Sequence, residues 1–177
     1  MRQEAVDRVR LVFTLFDVDG NGALEERDFD LMAHNVVEAA PEASEAAKEA
    51  MRNAFTTYWR TLLTELDADR DGRVDFDEYR ACVLSPERFD AAVTEFARAL
   101  SVLGDPDGDG RVEHADFSAL MTAIGFRPAN IDALFTAFGP DPADRIPVDV
   151  WDLGIRDFYA PDKAGIPGDR LVPEPAL

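Results

Sequence analysis

Three twelve-residue stretches of this 177-residue chain set oxygen-bearing residues at alternate positions around a glycine: DVDGNGALEERD (17–28), DADRDGRVDFDE (67–78) and DPDGDGRVEHAD (105–116). Positions one, three and five are Asp17, Asp19 and Asn21 in the first, Asp67, Asp69 and Asp71 in the second, and Asp105, Asp107 and Asp109 in the third. The seventh residue offers its main-chain carbonyl (Ala23, Arg73, Arg111). The ninth is an acid able to act through a water (Glu25, Asp75, Glu113), and the twelfth is a carboxylate (Asp28, Glu78, Asp116). A hard divalent cation takes about six to eight oxygens at one point. A loop of this length wraps it when alternate residues turn inward and a glycine at the sixth position turns sharply. The chemistry implied is chelation of Ca²⁺ at three sites. In the second stretch Asp67, Asp69, Asp71, Asp75, Asp77 and Glu78 crowd together, and a bound cation is what makes such repulsion tolerable.

The spacing is that of the EF-hand loop. Only the second loop ends in Glu, long enough to grip with both oxygens. Asp28 and Asp116 are one methylene shorter, which should tighten those sites and let Mg²⁺ compete at the first and third loops. A fourth stretch, GPDPADRIPVDV (139–150), has lost the pattern. Gly139, Ala143 and Val150 replace ligands, Asp144 replaces the turn glycine, and Asp141 alone remains. Its eighth residue, Ile146, still matches Leu24, Val74 and Val112, and an aromatic residue follows every stretch (Phe29, Tyr79, Phe117, Trp151). The fourth loop is expected to keep its shape without an ion and to pair its short strand with Val112.

Loops of this kind need helices on both sides. Phe16, Phe13, Val12 and Val9 precede the first loop, Leu66, Leu63, Leu62 and Trp59 the second, and Phe138, Phe135, Leu134 and Ile131 the fourth. Each set forms one apolar face at helical period. Before the third loop Ser101 and Gly104 interrupt the face, so that helix is expected to end early or rotate. Phe29, Met32, Ala33 and Val36, then Tyr79, Cys82 and Val83, then Phe117, Leu120 and Met121, then Trp151, Ile155 and Phe158 mark the helices that follow. Pro41 is expected to start the long helix into the second loop. Ser85-Pro86 reads as a cap with a first-turn proline, Gly125 as a helix end, and Pro128 as the next start. The predicted fold is all-α: four EF-hand helix-loop-helix units in two paired lobes of one compact body, with short antiparallel strand pairing between loops. Residues 1–84 hold hands one and two, and 85–159 hold hand three and the degenerate hand four. Residues 160–177 form a Pro/Gly-rich tail, extended and packed back on the body.

Composition narrows the partners. A formal charge of −18 argues against nucleic acid and anionic lipid, and no apolar run reaches membrane-spanning length. One cysteine, Cys82, allows no internal disulfide and fits a reducing cytoplasm; its place on an apolar stripe makes it a core thiol. Sixteen Arg against two Lys, with abundant Ala, suggest a GC-rich bacterial genome. His114, tenth in its loop, is expected to face solvent, and His34 to be a partly exposed helix residue. Ser44, Ser85, Ser101 and Ser118 read as caps or surface residues. No catalytic constellation stands apart from the acid clusters, so an enzyme is not expected.

The hands, the long spacing between the first two, DGNGALEERDF at 19–29 and IRDFYAPDKAGIPGDRLV at 155–172 resemble the sarcoplasmic calcium-binding protein family, in its bacterial, calerythrin-like branch. The resemblance spans nearly the whole chain. It implies a compact α-helical protein of two packed lobes binding Ca²⁺, with Mg²⁺ as competitor, as a cytosolic buffer; a monomer and a buffering or signal-shaping role are expected. The alternatives are a sensor that exposes an apolar surface to switch a protein partner, and a photoprotein-like ligand binder. Sensors favour Met-rich grooves, whereas this chain has 4 Met and 12 Phe, a stock suited to a fixed core.

Three divalent ions would bring the formal charge from −18 to −12. Removing them leaves the loop carboxylates to repel one another and loosens the fold. Calorimetry in excess chelator should therefore show a broader transition at lower temperature than in calcium; equal cooperativity and equal Tm would refute the metal's structural role.

Overall fold

The computed structural model describes residues 1–66 and 72–173. Four helix-loop-helix units follow one another: α1 (Gln3–Phe16) and α2 (Glu26–Glu38), α3 (Glu45–Leu66) and α4 (Phe76–Val83), α5 (Pro86–Leu103) and α6 (His114–Ile124), and α7 (Pro128–Ala137) and α8 (Val148–Phe158). Two short strands, β1 (Arg111–Glu113) and β2 (Arg145–Pro147), pair antiparallel with Val112 opposite Ile146. In the first pair of hands a single bridge does the same work, as Leu24 N donates to Val74 O at 2.8 Å and Val74 N to Leu24 O at 3.0 Å. All four eighth-position residues are fully buried. The apolar residue that locks two loops together is thus also the floor of each lobe.

The helical faces read from the sequence form one continuous core. Val9, Val12, Phe13 and Phe16 of α1 and Tyr58, Trp59 and Leu62 of α3 join Ile131, Leu134 and Phe135 of α7 in it. Aromatic edges dominate the packing: Phe16 meets Phe29 at 5.4 Å between centroids, Phe55 meets Phe96 at 5.1 Å, and Phe117 meets Trp151 at 4.7 Å. Such pairs add about 0.5–1.5 kcal/mol each beyond area burial. The Phe55–Phe96 pair joins α3 to α5, so helices from the two halves share one interior.

Three local expectations are corrected. The long helix begins at Glu45 rather than Pro41, because Ser44 Oγ accepts from Ala47 N at 3.1 Å and caps its first turn. Ser101 is not a cap or surface residue: its buried hydroxyl donates to Ala97 O at 2.8 Å, within a helix that stops at Leu103, one residue further from its loop than α1 stops from its own. Gly104 then serves a packing purpose, since a Cβ there would stand 2.7 Å from the Trp151 ring. The tail is not simply extended: Pro167–Leu171 forms a 3₁₀ turn, opened by Pro167.

Arg8 holds that tail. It lies on the apolar stripe of α1 and is 0% exposed. Its Nε donates to Phe158 O at 2.7 Å, its Nη2 to Ala160 O at 3.0 Å, and its Nη1 to Asp169 Oδ1 at 2.6 Å; Lys163 O accepts from both Nη atoms at 3.2 Å. A buried guanidinium persists only when its donors are satisfied. Arg8→Ala strands those carbonyls and Asp169, and should lower urea-unfolding stability by about 3 kcal/mol or more; a loss under about 0.5 kcal/mol would show the hub to be dispensable.

Candidate metal centre

The first loop aims its carboxylates inward through its own backbone. Asp17 accepts from Asn21 N at 3.0 Å and Gly22 N at 2.8 Å, Asp19 from Asn21 N at 3.1 Å, and Asn21 Oδ1 from Ala23 N at 3.0 Å. Asp28, from the first turn of α2, accepts from Val18 N at 3.3 Å and Glu25 N at 2.9 Å and is only 3% exposed. Carboxylate oxygens of Asp17, Asp19 and Asp28 lie within 4.8 Å of one another. Burial, together with the charges of Asp19 and Asp17, holds Asp28 above the usual carboxylate pKa despite its two backbone donors. That is the signature of a pocket short of positive charge.

The third loop repeats the arrangement. Asp105 accepts from Asp109 N at 3.1 Å and Gly110 N at 2.9 Å, Asp107 from Asp109 N at 3.2 Å, and Asp109 Oδ1 from Arg111 N at 2.8 Å. Asp105, Asp107 and Asp109 form a second set within 4.8 Å. Its pKa logic is the same, with burial first and then Asp107 and Asp109 raising Asp105. Asp116 does not complete this set; it is half-buried nearby, its pKa raised by burial and by Asp107. Gly22 (φ 85°) and Gly110 (φ 82°) supply the left-handed turn that presents successive N–H groups to the first carboxylate.

Asp67, Asp69 and Asp71 of the second loop lie outside the described residues. At its exit Asp75 and Glu78 cap α4 reciprocally, with Glu78 N to Asp75 Oδ1 at 2.9 Å and Asp75 N to Glu78 Oε2 at 3.0 Å. Ala23 and Arg73 directly precede the bridged residues Leu24 and Val74, and Arg111 is itself the first residue of β1, opposite Pro147. Of the ninth-position acids, Glu25 pairs with Arg73 at 3.2 Å, which ties loop one to loop two, and Glu113 is exposed.

The fourth loop keeps the turn at some strain. Asp144 is the one non-glycine residue with positive φ (61°) among the described residues, a conformation costing roughly 1–2 kcal/mol for most side chains and less for Asp. His114 is not the free solvent residue expected from its position. Its ring stacks on Phe135 at 4.3 Å, with Nδ1 2.9 Å from Asp144 and Nε2 3.1 Å from Asp132. Burial alone would lower its pKa; the two carboxylates outweigh that and raise it. His34 is exposed on α2 as expected.

Sequence reasoning missed the arginines that reach loop carboxylates, Arg27 to Asp19 at 2.6 Å and Arg145 to Asp109 at 3.3 Å. It also missed three buried phenols: Tyr58 OH lies 2.6 Å from Tyr79 OH and 3.2 Å from Tyr159 OH. The only signal for the phenols was Tyr79's place directly after the second loop. Burial keeps all three protonated, with Tyr159 pushed up to about 12.

Paired helix-loop-helix units joined back to back through their loops define an EF-hand protein, and residues 6–84 match the family described as an EF-hand domain pair. The chain is a homologue of calerythrin and of the sarcoplasmic calcium-binding proteins. It is 29% identical to calerythrin of Saccharopolyspora erythraea over 163 residues, covering 88% of this chain and 92% of that one. It is 30% identical to sarcoplasmic calcium-binding protein 1 of Astacus leptodactylus over 80 residues, 44% of this chain and 42% of that one. Among solved structures, a Streptomyces coelicolor calcium-binding protein superimposes with TM-score 0.71 at 23% identity, covering 90% and 99% of the two chains. The photoprotein mitrocomin of Mitrocoma cellularia does so with TM-score 0.72 at 15% identity, covering 96% and 91%. No described helix is long and apolar enough to cross a membrane.

Cys82 is a core residue, 0% exposed, and burial and nearby Glu65 raise its pKa to about 11 against a smaller lowering by Arg88. A thiol so placed presents almost no thiolate at neutral pH. Disulfide-exchange reagents should label it negligibly in the native protein and fully in denaturant; rapid native labelling would contradict its burial.

Proposed function

We propose that the protein binds three Ca²⁺ ions and serves as a cytoplasmic calcium buffer or signal shaper rather than an enzyme. The observation that carries this reading is the pair of carboxylate sets, Asp17/Asp19/Asp28 and Asp105/Asp107/Asp109, gathered within 4.8 Å and aimed by backbone donors. Asn21, the carbonyl of Ala23 and Glu25 would complete the first site, and the carbonyl of Arg111, Glu113 and Asp116 the third. Asp67, Asp69, Asp71, the carbonyl of Arg73, Asp75 and Glu78 would form the second. The chemistry fits a hard dication: all-oxygen donors, excess negative charge and glycine-tuned turns. We take 1–84 and 85–159 as the two pairs, with 160–177 as the tail.

Buffering is favoured over switching by the core. Met32, Met51 and Met121 are each buried and scattered, and the interior is filled by aromatic pairs. The Streptomyces coelicolor protein of the same fold acts in calcium-mediated regulation, which keeps a sensor as second reading. A photoprotein-like ligand role has weaker footing. The apolar cavity beside Phe16, Met121, Trp151 and Tyr159 measures about 50 Å³, and neither His34 nor His114 lines it; that volume suits a few waters at most.

Isothermal titration with Ca²⁺ should give three sites, and Asp17→Asn, Asp67→Asn and Asp105→Asn should each remove one. Repeated in excess Mg²⁺, sites one and three should weaken most, an effect that Asp28→Glu and Asp116→Glu should reduce. Two or four sites would overturn the assignment, and a large calcium-dependent rise in hydrophobic-dye fluorescence would replace buffer with sensor.

A further inference from the structure

We propose that Arg145 is the resident cation of the fourth hand and that it restrains metal binding at the third loop by holding an oxygen of Asp109. The inference rests on the reading that the third loop takes a divalent ion.

The fourth loop has one ligand-position acid left, Asp141, and Arg145 answers it twice. Through the backbone, Asp141 N donates to Arg145 O at 2.8 Å, and Asp141 Oδ1 accepts from Ala143 N at 2.9 Å and Arg145 N at 3.1 Å. Through the side chain, Arg145 Nη2 donates to Asp141 Oδ2 at 3.2 Å. A tethered single charge thus stands where other hands would have a dication. The same guanidinium has a second arm: Nη1 donates to Asp109 Oδ2 at 3.3 Å. Asp109 is the fifth-position carboxylate of the neighbouring loop, and its other oxygen is already taken by Arg111 N.

This is not an ordinary surface pair. The strand register places Arg145 opposite Glu113, fixing the reach between the two loops. The Arg145 side chain is one-third exposed, and its Nε is buried without an acceptor among the described residues. Leaving a buried donor unpaired is unfavourable, so both Nη arms are committed to the carboxylates at the expense of the third nitrogen. Arg27, which pairs with Asp19 in the first loop, is 73% exposed and shows no such constraint.

A cation entering the third loop competes with the guanidinium for the charge of Asp109 and approaches a fixed positive charge a few ångströms away. Between water and a partly covered site, that repulsion amounts to about a 3- to 10-fold loss in affinity. The degenerate hand therefore sets the affinity of its active neighbour, beyond bracing it.

The test uses the full chain carrying Asp17→Ala and Asp67→Ala, in which the third loop is the remaining site, titrated with Ca²⁺ at low salt. Adding Arg145→Met should tighten binding about 3- to 10-fold, and the gain should shrink in 1 M KCl. Arg145→Lys, which keeps the charge, should stay within about twofold of its parent. Asp141→Asn, which leaves the guanidinium to Asp109 alone, should weaken binding, and it reads the same competition should the Met variant lose its fold by circular dichroism. Unchanged or weaker binding in a folded Met variant, or unchanged binding in the Asn variant, overturns the role given to Arg145. If neither the parent nor any variant binds Ca²⁺, the reading of the third loop falls first, a result plainly different from equal affinities.

Discussion

Carboxylates that converge on one point repel one another, and everything else in this molecule is arranged around that constraint. Backbone N–H groups oppose it: Asn21, Gly22, Val18 and Glu25 in the first loop, Asp109, Gly110 and Arg111 in the third. They do so only because the loop follows one path, with left-handed glycines at fixed places and a helix beginning at its end. That helix in turn is positioned by burying an aromatic residue directly after the loop. The chain of dependence runs from charge to turn to helix to core.

The loops work in pairs, and the two pairs solve the problem differently. In the first, the joint is one reciprocal bridge, Leu24 with Val74, reinforced by Arg73 and Glu25. In the second, three residues on each side make a ladder. The longer joint belongs to the pair with a degenerate member. The loop that lacks the ligand pattern is shaped by hydrogen bonds around Asp141, by the strained Asp144 and by the His114 stack.

Much of this was legible in the residues. Side-chain period and loop spacing identify the helices, the strand partners and the carboxylate sets because each of these depends on local pattern. Gly104 shows where that stops: its sequence signal, a break in an apolar face, was real, but its cause is a tryptophan 47 positions away whose ring takes the place of a Cβ. Ser101 misled for a related reason, because a hydroxyl that bonds back to its own helix can be buried like an alanine. Arg8 sits in an apolar stripe, and Arg145 holds the seventh place of its loop, as Arg73 and Arg111 do in theirs. Both residues were visible, yet the partners that matter, Asp169 for Arg8 and Asp109 for Arg145, lie on segments far along the chain.

Arg8 also imposes an order of events. Its acceptors begin at Phe158 and end at Asp169, about 150 to 161 positions downstream. Until the acceptors between Phe158 and Asp169 are in place, the Arg8 guanidinium on the face of α1 is better solvated by water than buried. Native closure of the N-terminal helix therefore waits for the last part of the chain, and the long interval between the two is spent with that face unsealed.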